Sequence, residues 1–262
     1  MKANELHSHM ASVGTWVDWK RTSDRFLAGD PEATVKGIAV SWMPTVNNLR
    51  RAWAKGANLF VAHEPLYISD AKQGSVQPGR EAWAEKKRWL DETGMVVYRC
   101  HDVWDDYPEI GVHGAWADFL GLTGKPVASS RFYEVHEVGD LTLRQLAERI
   151  LEKARALGQE TVHMVGDPNK KVSRIALGTG AITDYREMFN LGADVLLLTD
   201  DGTRLWESGQ WSLDAGIPLL LVNHSTAEEP AMRTLTRYIQ ERPPEVPVEH
   251  IPVGCLYAAV HL

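Results

Sequence analysis

The sequence has few cysteines, no long apolar run and no excess of basic residues. Its two cysteines, Cys100 and Cys255, form no paired motif, which is typical of a reducing cytosol. The longest apolar runs, 195–198 and 217–222, are far too short to span a bilayer. The net charge of -7 argues against nucleic acid as the main partner, because phosphate binding needs a basic face. The first ten residues contain no apolar signal core. We therefore expect a cytoplasmic protein without a membrane or nucleic-acid partner.

What is present is typical of a globular protein. A hydrophobic content of 44% and a charged content of 24% over 262 residues are enough for one large α/β domain or two small ones. Ten tryptophans are many for this length. We expect most of them in the core or in interfaces, although some could line an aromatic pocket.

Short apolar runs alternate with amphipathic segments along the whole chain. The predicted strands are 34–42, 58–62, 95–98, 132–138, 161–165, 174–177, 194–199, 218–222 and 246–252. The predicted helices are 12–20, 45–55, 80–93, 112–120, 141–156, 183–191, 206–215 and 229–241, with loops at 23–32 and 69–79. This alternation predicts an α/β fold of two interlinked halves, with largely parallel sheets flanked by helices. The pattern restarts near residue 125, so we expect one half at 1–124 and 229–262, and the other at 125–228.

Candidate metal ligands follow three of the predicted strands. In open α/β sheets, ligands bind beyond the carboxyl ends of the strands. The candidates are three histidines and three carboxylates: His63 and Glu64, His101 and Asp105, His224 and Glu228. Each segment alone also fits a surface histidine, a capping residue or an ordinary surface pair. Three such segments, each at the end of a strand, favour a metal site.

The chemistry of these six side chains suits a pair of divalent ions. Imidazole with carboxylate suits zinc, manganese or iron, and six ligands exceed the need of one tetrahedral ion. Two ions joined by a carboxylate or a water would use all six. Such a pair activates the water and holds substrate oxygens, which predicts hydrolysis near neutral pH.

The order and spacing of the motifs resemble the Nif-three-like dinuclear-metal hexameric proteins, often named type 2 GTP cyclohydrolase I. The motifs that carry the resemblance are AHEP at 62–65, CHDVWD at 100–105, LGTGA at 177–181 and NHSTAE at 223–228. The resemblance extends from about Gly37 to Val253. It implies metal ligands at His63, His101, Asp105, His224 and Glu228. It also implies a homo-hexameric ring with sites facing an inner cavity, and ring-opening hydrolysis of a nucleotide-like heterocycle.

One position and one three-residue segment depart from that family pattern. Glu64 stands where the family usually has a second histidine, and it can bind a metal, bridge two ions or act as a general base. Thr199, Asp200 and Asp201 stand where many members read Thr-Gly-Glu. Both departures raise the possibility of a divergent substrate.

The glycine turn at 178–180 follows a predicted strand and precedes a helix. Its backbone amides could hold an anion or a phosphate. A tight turn required for packing explains the same two glycines and is the favoured interpretation.

The sequence therefore supports three hypotheses. The leading one is a hydrolase with a dinuclear metal centre, in which activated water attacks a carbonyl, amidine or heterocyclic ring carbon of a small molecule. Glu64 and Glu228 are the candidates for moving the proton. The second hypothesis is a metal-binding scaffold or regulatory protein without turnover. The third is a phosphoesterase, which two metals and the glycine turn would also fit.

Overall fold

The computed structural model describes residues 1–67, 77–242 and 246–260, and of 77–80 the backbone only. The chain forms two compact units. Unit 1 comprises Met1–Asp105 and Met232–Pro252, and unit 2 comprises Asp106–Ala231 and Val253–Leu262. Each unit contains one sheet with helices, so the predicted α/β class is confirmed. The domain boundaries predicted from the sequence, near residues 125 and 229, stay a prediction.

Unit 1 contains a five-stranded sheet in the order β1-β4-β3-β2-β11. Its strands are β1 (Arg25–Ala28), β2 (Ile38–Ser41), β3 (Leu59–Ala62), β4 (Val96–Arg99) and β11 (Val248–His250). Its helices are α1 (Ala3–Val13), α2 (Val46–Ala54), α3 (Gln77–Thr93) and the short α4 (Asp102–Asp105). All neighbouring strands run parallel except β1, which pairs antiparallel with β4.

The central strands of unit 1 are buried on both faces. Every residue of β2 and β3 is buried, which is the pattern expected of parallel strands covered on both sides. One face packs into a core whose buried members include Ala39, Leu49, Phe60, Ala62, Leu90, Val97 and Ile251. The strands therefore form a rigid platform up to the residues at which they end.

Unit 2 contains a six-stranded sheet in the order β5-β6-β8-β9-β10-β7. Its strands are β5 (Ala128–Ser129), β6 (Glu134–Thr142), β7 (His163–Val165), β8 (Lys171–Leu177), β9 (Val195–Thr199) and β10 (Leu219–Val222). Its helices are α5 (Val112–Phe119), α6 (Leu143–Ala154), a 3₁₀ turn at Arg155–Leu157, α7 (Tyr185–Asn190) and α8 (Leu205–Ala215). Helix α9 (His224–Gln240) begins in unit 2 and ends in unit 1.

The unit 2 sheet separates two apolar cores. Successive side chains of a strand point to opposite faces, so Val195 and Leu197 of β9 enter one core while Leu196 and Leu198 enter the other. The strands β8, β9 and β10 run parallel to one another. The pairs β5–β6, β6–β8 and β7–β10 are antiparallel. This sheet is therefore mixed, and its parallel part is the centre.

Several predicted elements need correction. The helix predicted at 12–20 is wrong, because the helix is α1 at Ala3–Val13, which buries Ala3, Leu6 and Met10 despite its polar sequence. The segment 23–32 was predicted as a loop, yet it contains β1, which is held at the sheet edge by pairing with β4. Helix α9 begins at His224 instead of residue 229.

One predicted element lies mostly outside the described part of the chain: the loop predicted at 69–79 falls largely on residues 68–76. None of the helices in the described ranges combines the length and apolar character needed to cross a bilayer.

Candidate functional site

Two adjacent parallel strands bring His63 and His101 together in unit 1. Ala62, the last residue of β3, lies opposite Arg99, the last residue of β4. His63 follows β3 directly and His101 follows β4 after one further residue. Their rings stack with centroids 4.4 Å apart and an angle of 17° between the planes. The strand register therefore places both imidazoles at the same edge of the sheet.

Asp105 lies close to both of these histidines. A single helical turn carries it, because its backbone N–H donates to the carbonyl of His101 at 2.8 Å. Its Oδ1 lies 3.3 Å from Nε2 of His63, and its Oδ2 lies 3.2 Å from Nδ1 of His101. Two donors that each lie about 2.1 Å from one tetrahedral ion are separated by roughly 3.4 Å. The spacing therefore fits a shared cation.

Glu64 belongs to the same cluster, and its carboxylate also lies near the guanidinium of Arg99. Ligand atoms of His63, Glu64 and His101 all lie within 4.8 Å of one another. Nη2 of Arg99 lies 3.8 Å from Oε2 of Glu64, and Nε of Arg99 donates to the carbonyl of His63 at 2.8 Å. Arg99 thus holds the backbone at His63 while its charge lies beside the Glu64 carboxylate.

The orientation of the His63 ring follows from its surroundings. Its Nδ1 lies 3.3 Å from the carbonyl of Cys100, an acceptor that calls for a proton on Nδ1. Nε2 then carries the lone pair and faces Asp105. Burial raises the pKa of the Cys100 thiol well above its usual value, which favours the neutral thiol.

Two further carboxylates hold His101. Asp24 accepts from the backbone N–H of His101 at 2.6 Å and from that of Val103 at 3.2 Å. Asp102 Oδ1 lies 2.8 Å from Nδ1 of His101. That hydrogen bond, together with those from Ser23 and Thr22, keeps the pKa of Asp102 well below its usual range in spite of burial. His101 is thus fixed at both its backbone and its ring.

In unit 2, His224 and Glu228 occupy the first turns of α9. The helix begins just after β10, so both side chains emerge at the carboxyl end of that strand. Nε2 of His224 lies 3.0 Å from Oε1 of Glu228, and both side chains are nearly inaccessible, at 7% and 3% exposed. The i,i+4 spacing on one helix face explains this approach.

Asp201 contacts the other nitrogen of the His224 ring. Its Oδ2 lies 3.1 Å from Nδ1. Burial disfavours the charged imidazole, but the hydrogen bonds with Asp201 and Glu228 outweigh it and raise the pKa of His224 to about 10. The two carboxylates that stabilise the protonated ring would also stabilise a metal cation bound in place of the proton.

The glycine turn after β8 packs against Glu228. Gly180 has a φ of 72°, and a Cβ at this position would lie 3.3 Å from Oε1 of Glu228. The hydroxyl of Thr199 donates to the carbonyl of Gly180 at 2.6 Å. A Cβ on Gly178 would lie 2.6 Å from a methyl of Thr183. These contacts support the packing interpretation of the turn.

The six predicted ligands therefore fall into two sets. Unit 1 holds the first set, His63, Glu64, His101 and Asp105, and unit 2 holds His224 and Glu228. Each set combines imidazole nitrogen with carboxylate oxygen, the donors that zinc, manganese and iron accept. Their role as ligands, and the sharing of one centre by all three strand ends, stay predictions.

The carboxylates that support the histidines were not among the site residues predicted from the sequence. Asp102 is adjacent to His101, and Asp200 and Asp201 follow the strand beside β10, so their positions carried a signal. Asp24 is distant in sequence from His101, and Tyr257, whose hydroxyl donates to Asp200 beside His224, is distant from both. No local pattern marks either residue. Only the tertiary fold brings these two residues close to the histidine segments.

Together, the fold and these clusters define an α/β protein whose histidine and carboxylate groups can hold a metal ion. A family model described as Duf34/NIF3 (NGG1p interacting factor 3) matches residues 7–254. The chain belongs to this family, and the resemblance drawn from its motifs is confirmed.

Known relatives are similar over nearly the whole chain at low identity. A protein of Clostridium perfringens named GTP cyclohydrolase 1 type 2 homolog is 24% identical over 252 residues, which cover 92% of each chain. A hypothetical protein of Staphylococcus aureus of known crystal structure is 20% identical, with a TM-score of 0.78 and 97% of each chain covered. A Bacillus cereus protein related to NIF3 is 14% identical, with a TM-score of 0.77, and the match covers 100% of this chain and 99% of that one. At these identities the structural likeness shows the fold alone.

Proposed function

We propose that the protein is a metal-dependent hydrolase of a small molecule, acting at a carbonyl, amidine or heterocyclic ring carbon. The observation that carries the proposal is the approach of imidazole and carboxylate groups at strand ends in both units, with nitrogen–oxygen distances of 3.0 to 3.3 Å. The name of the Clostridium perfringens relative refers to a cyclohydrolase, which supports ring opening of a nucleotide-like heterocycle as the reaction.

The proposed ligands are His63, Glu64, His101 and Asp105 in unit 1, with His224 and Glu228 in unit 2. Zinc, manganese or iron bound there would lower the pKa of a water and polarise a substrate oxygen. The remaining tasks belong to side chains of the chain itself: holding the imidazoles in place and carrying a proton.

Glu64 is better placed than Glu228 to carry the proton. A general base must reach the reacting water and then return its proton to solvent. The Glu64 side chain is 20% exposed, whereas Glu228 is 3% exposed and lies against His224. Arg99, at 3.8 Å, can hold the Glu64 carboxylate in one orientation. We therefore assign proton transfer first to Glu64, and mainly a ligand role to Glu228.

The ligand assignment is tested by metal analysis of the purified full chain. We expect two divalent ions per chain in the wild type, and the loss of one ion in each of the variants His101→Ala and His224→Ala. His163→Ala is the matched control, because His163 is exposed on β7 and belongs to neither set. Full metal content in both ligand variants would show that the site is misplaced.

The catalytic part is tested with the metal-loaded chain on a panel of amides, esters, phosphoesters and heterocycles. Turnover that is lost in His101→Ala supports the hydrolase. Release of inorganic phosphate from nucleotides would instead support the phosphoesterase. An absence of turnover on the whole panel, with both ions bound, would rule out the hydrolase and favour a scaffold or regulatory protein.

The sequence prediction that the three strand ends share one centre has its own test. Paired catalytic ions lie about 3.5–4 Å apart, and manganese ions at that separation couple their spins. Electron paramagnetic resonance of the manganese-loaded chain should then show a coupled signal. Two independent six-line signals would contradict a shared centre.

We further propose that the protein acts in the cytoplasm as a homo-hexamer. This extends what the motif resemblance implies, and membership of the family supports it.

A further inference from the structure

Two adjacent carboxylates contact the proposed ligand His224 in different ways. They follow β9, and β10 lies parallel beside it with Val222 opposite Thr199. Asp200 and Asp201 therefore emerge next to the start of α9. Asp200 bonds to the backbone of His224, whereas Asp201 bonds to the ring.

Asp200 is the centre of a hydrogen-bond network. Its Oδ1 accepts from the backbone N–H of His224 and from that of Asp201, each at 2.9 Å. Its Oδ2 accepts from Nδ2 of Asn223 at 2.7 Å and from the hydroxyl of Tyr257. The C-terminal segment thus reaches back, through Tyr257, to the residues around the proposed ligand.

Asp201 and Glu228 contact opposite nitrogens of the same imidazole. Asp201 lies 3.1 Å from Nδ1 and is 59% exposed, whereas Glu228 lies 3.0 Å from Nε2 and is 3% exposed. An acceptor at Nδ1 keeps a proton on that nitrogen and leaves the Nε2 lone pair for a cation. A cation held at Nε2 would lie beside the buried Glu228 and away from the exposed Asp201.

We propose that Asp201 is a positioning residue that selects Nε2 of His224 as the metal-binding atom, while Asp200 and Tyr257 fix the backbone that carries the ring. This inference rests on the proposed metal binding by His224. It gives a task to the Asp200–Asp201 pair, which departs from the Thr-Gly-Glu pattern of many family members.

The backbone part of this arrangement recurs in unit 1. Asp24 accepts from the backbone N–H of His101 at 2.6 Å, as Asp200 does from His224. The ring contacts differ, because Asp102 and the proposed ligand Asp105 approach the same nitrogen of His101, Nδ1, at 2.8 Å and 3.2 Å. A carboxylate thus holds the histidine backbone at both strand ends, whereas acids on opposite ring nitrogens are seen at His224.

The test uses the full chain with His101→Ala as the background, so that the unit 2 set is titrated alone. Zinc affinity is measured by competition with a chelator for the background and for added Asp201→Ala, Asp201→Asn and Tyr257→Phe. We expect Asp201→Ala to weaken zinc binding about 10- to 100-fold, the usual effect of losing such a partner. Asp201→Asn should restore part of the affinity, because its amide oxygen can still accept from Nδ1.

Asp214→Ala is the matched control, since Asp214 is an exposed acid of the same unit, on α8. It should leave the affinity unchanged. Tyr257→Phe should weaken binding less than Asp201→Ala, because Asp200 keeps its bonds to His224, Asp201 and Asn223. Nitrogen-15 spectra of the zinc-loaded imidazole should show the proton on Nδ1, a signature that a purely structural role would not require.

Zinc bound to Nδ1, or an affinity of Asp201→Ala within twofold of the background, would overturn the positioning role while leaving metal binding intact. If the background binds no zinc although the wild type binds one ion, the assignment of His224 as a ligand fails first, and the inference fails with it.

Discussion

The role of the Glu64 carboxylate depends on the histidines and the arginine around it. The residue follows His63 directly, and its carboxylate lies within 4.8 Å of ring nitrogens of His63 and His101 and 3.8 Å from the guanidinium of Arg99. A histidine at this position would offer a neutral donor, whereas glutamate adds negative charge and a group able to accept a proton. In unit 1, Glu64 can therefore act either as a negatively charged metal ligand or as the base that accepts a proton.

Replacement of Glu64 separates its two possible roles. We expect Glu64→Gln to keep the metal bound by His63, His101 and Asp105, and to lower turnover by roughly 10²–10⁴-fold, the usual contribution of a general base. Glu64→His should restore a metal donor without restoring turnover. Metal analysis and the turnover number of each variant are the measurements. Undiminished turnover in Glu64→Gln would exclude proton transfer by this residue.

Lys86 provides a pH-dependent prediction away from the proposed ligands. Its ammonium is buried in α3 and donates to the carbonyl of Leu66 at 2.6 Å, and burial lowers its pKa to about 8. Between pH 8 and about 10.4, the usual lysine value, the unfolded chain keeps a proton that the folded chain has lost. The free energy of unfolding contributed by this residue must therefore rise with pH in that window.

The comparison is between the wild type and Lys86→Met in urea unfolding at pH 7, 8, 9 and 10. The wild type should gain stability relative to the variant as the pH rises. Lys87→Met serves as the control, because Lys87 is exposed and pairs with Asp91. A constant difference between wild type and Lys86→Met at all four pH values would contradict the lowered pKa.

At the scale of elements, the ends of parallel strands decide where the chemistry lies. The adjacency of β3 with β4, and of β9 with β10, brings each proposed histidine beside its carboxylate partners. The turn after β8 adds a close approach, because a Cβ at Gly180 would lie 3.3 Å from Oε1 of Glu228, so that this carboxylate would have to shift slightly. Turn and ligand are therefore coupled through packing.

Gly180→Ala tests that coupling. Both the positive φ and the contact with Glu228 oppose the added methyl, so we expect a loss of about 1–2 kcal/mol in stability from the backbone and weaker metal binding by His224 and Glu228. Gly158→Ala is the matched control: its φ of 80° imposes a similar strain, but nothing lies within 4 Å of the new Cβ. Urea unfolding and zinc affinity are measured for both. Equal zinc affinities would show that the turn does not constrain Glu228.

At the scale of the whole molecule, the chain is a member of the Duf34/NIF3 family with two α/β units. The resemblance to the family implies a ring of six chains. Light scattering coupled to gel filtration should then give a mass about six times the 29.3 kDa of one chain. A mass of one or two chains at micromolar concentration would contradict the proposed assembly.

Much of the fold was predictable because burial leaves a strong local signal. The strands β3, β9 and β10 are continuous apolar runs, and each predicted run overlaps the strand that formed. Helix α1 and strand β1 were missed for the opposite reason. Their sequences are polar or mixed, and tertiary contacts, the packing of α1 and the pairing of β1 with β4, stabilise them.

The sequence by itself determined much of the alternation of strands and helices after β1, and the histidines that stand at three strand ends. His63, His101 and His224 were recognisable because a rigid apolar strand precedes each of them. Only the tertiary structure decided which distant groups hold the backbone around those histidines. Asp24 is far along the chain from His101, whose N–H it accepts, and Tyr257 is far from Asp200, to which it donates. Hydrogen bonds between distant segments leave no periodic pattern in a sequence.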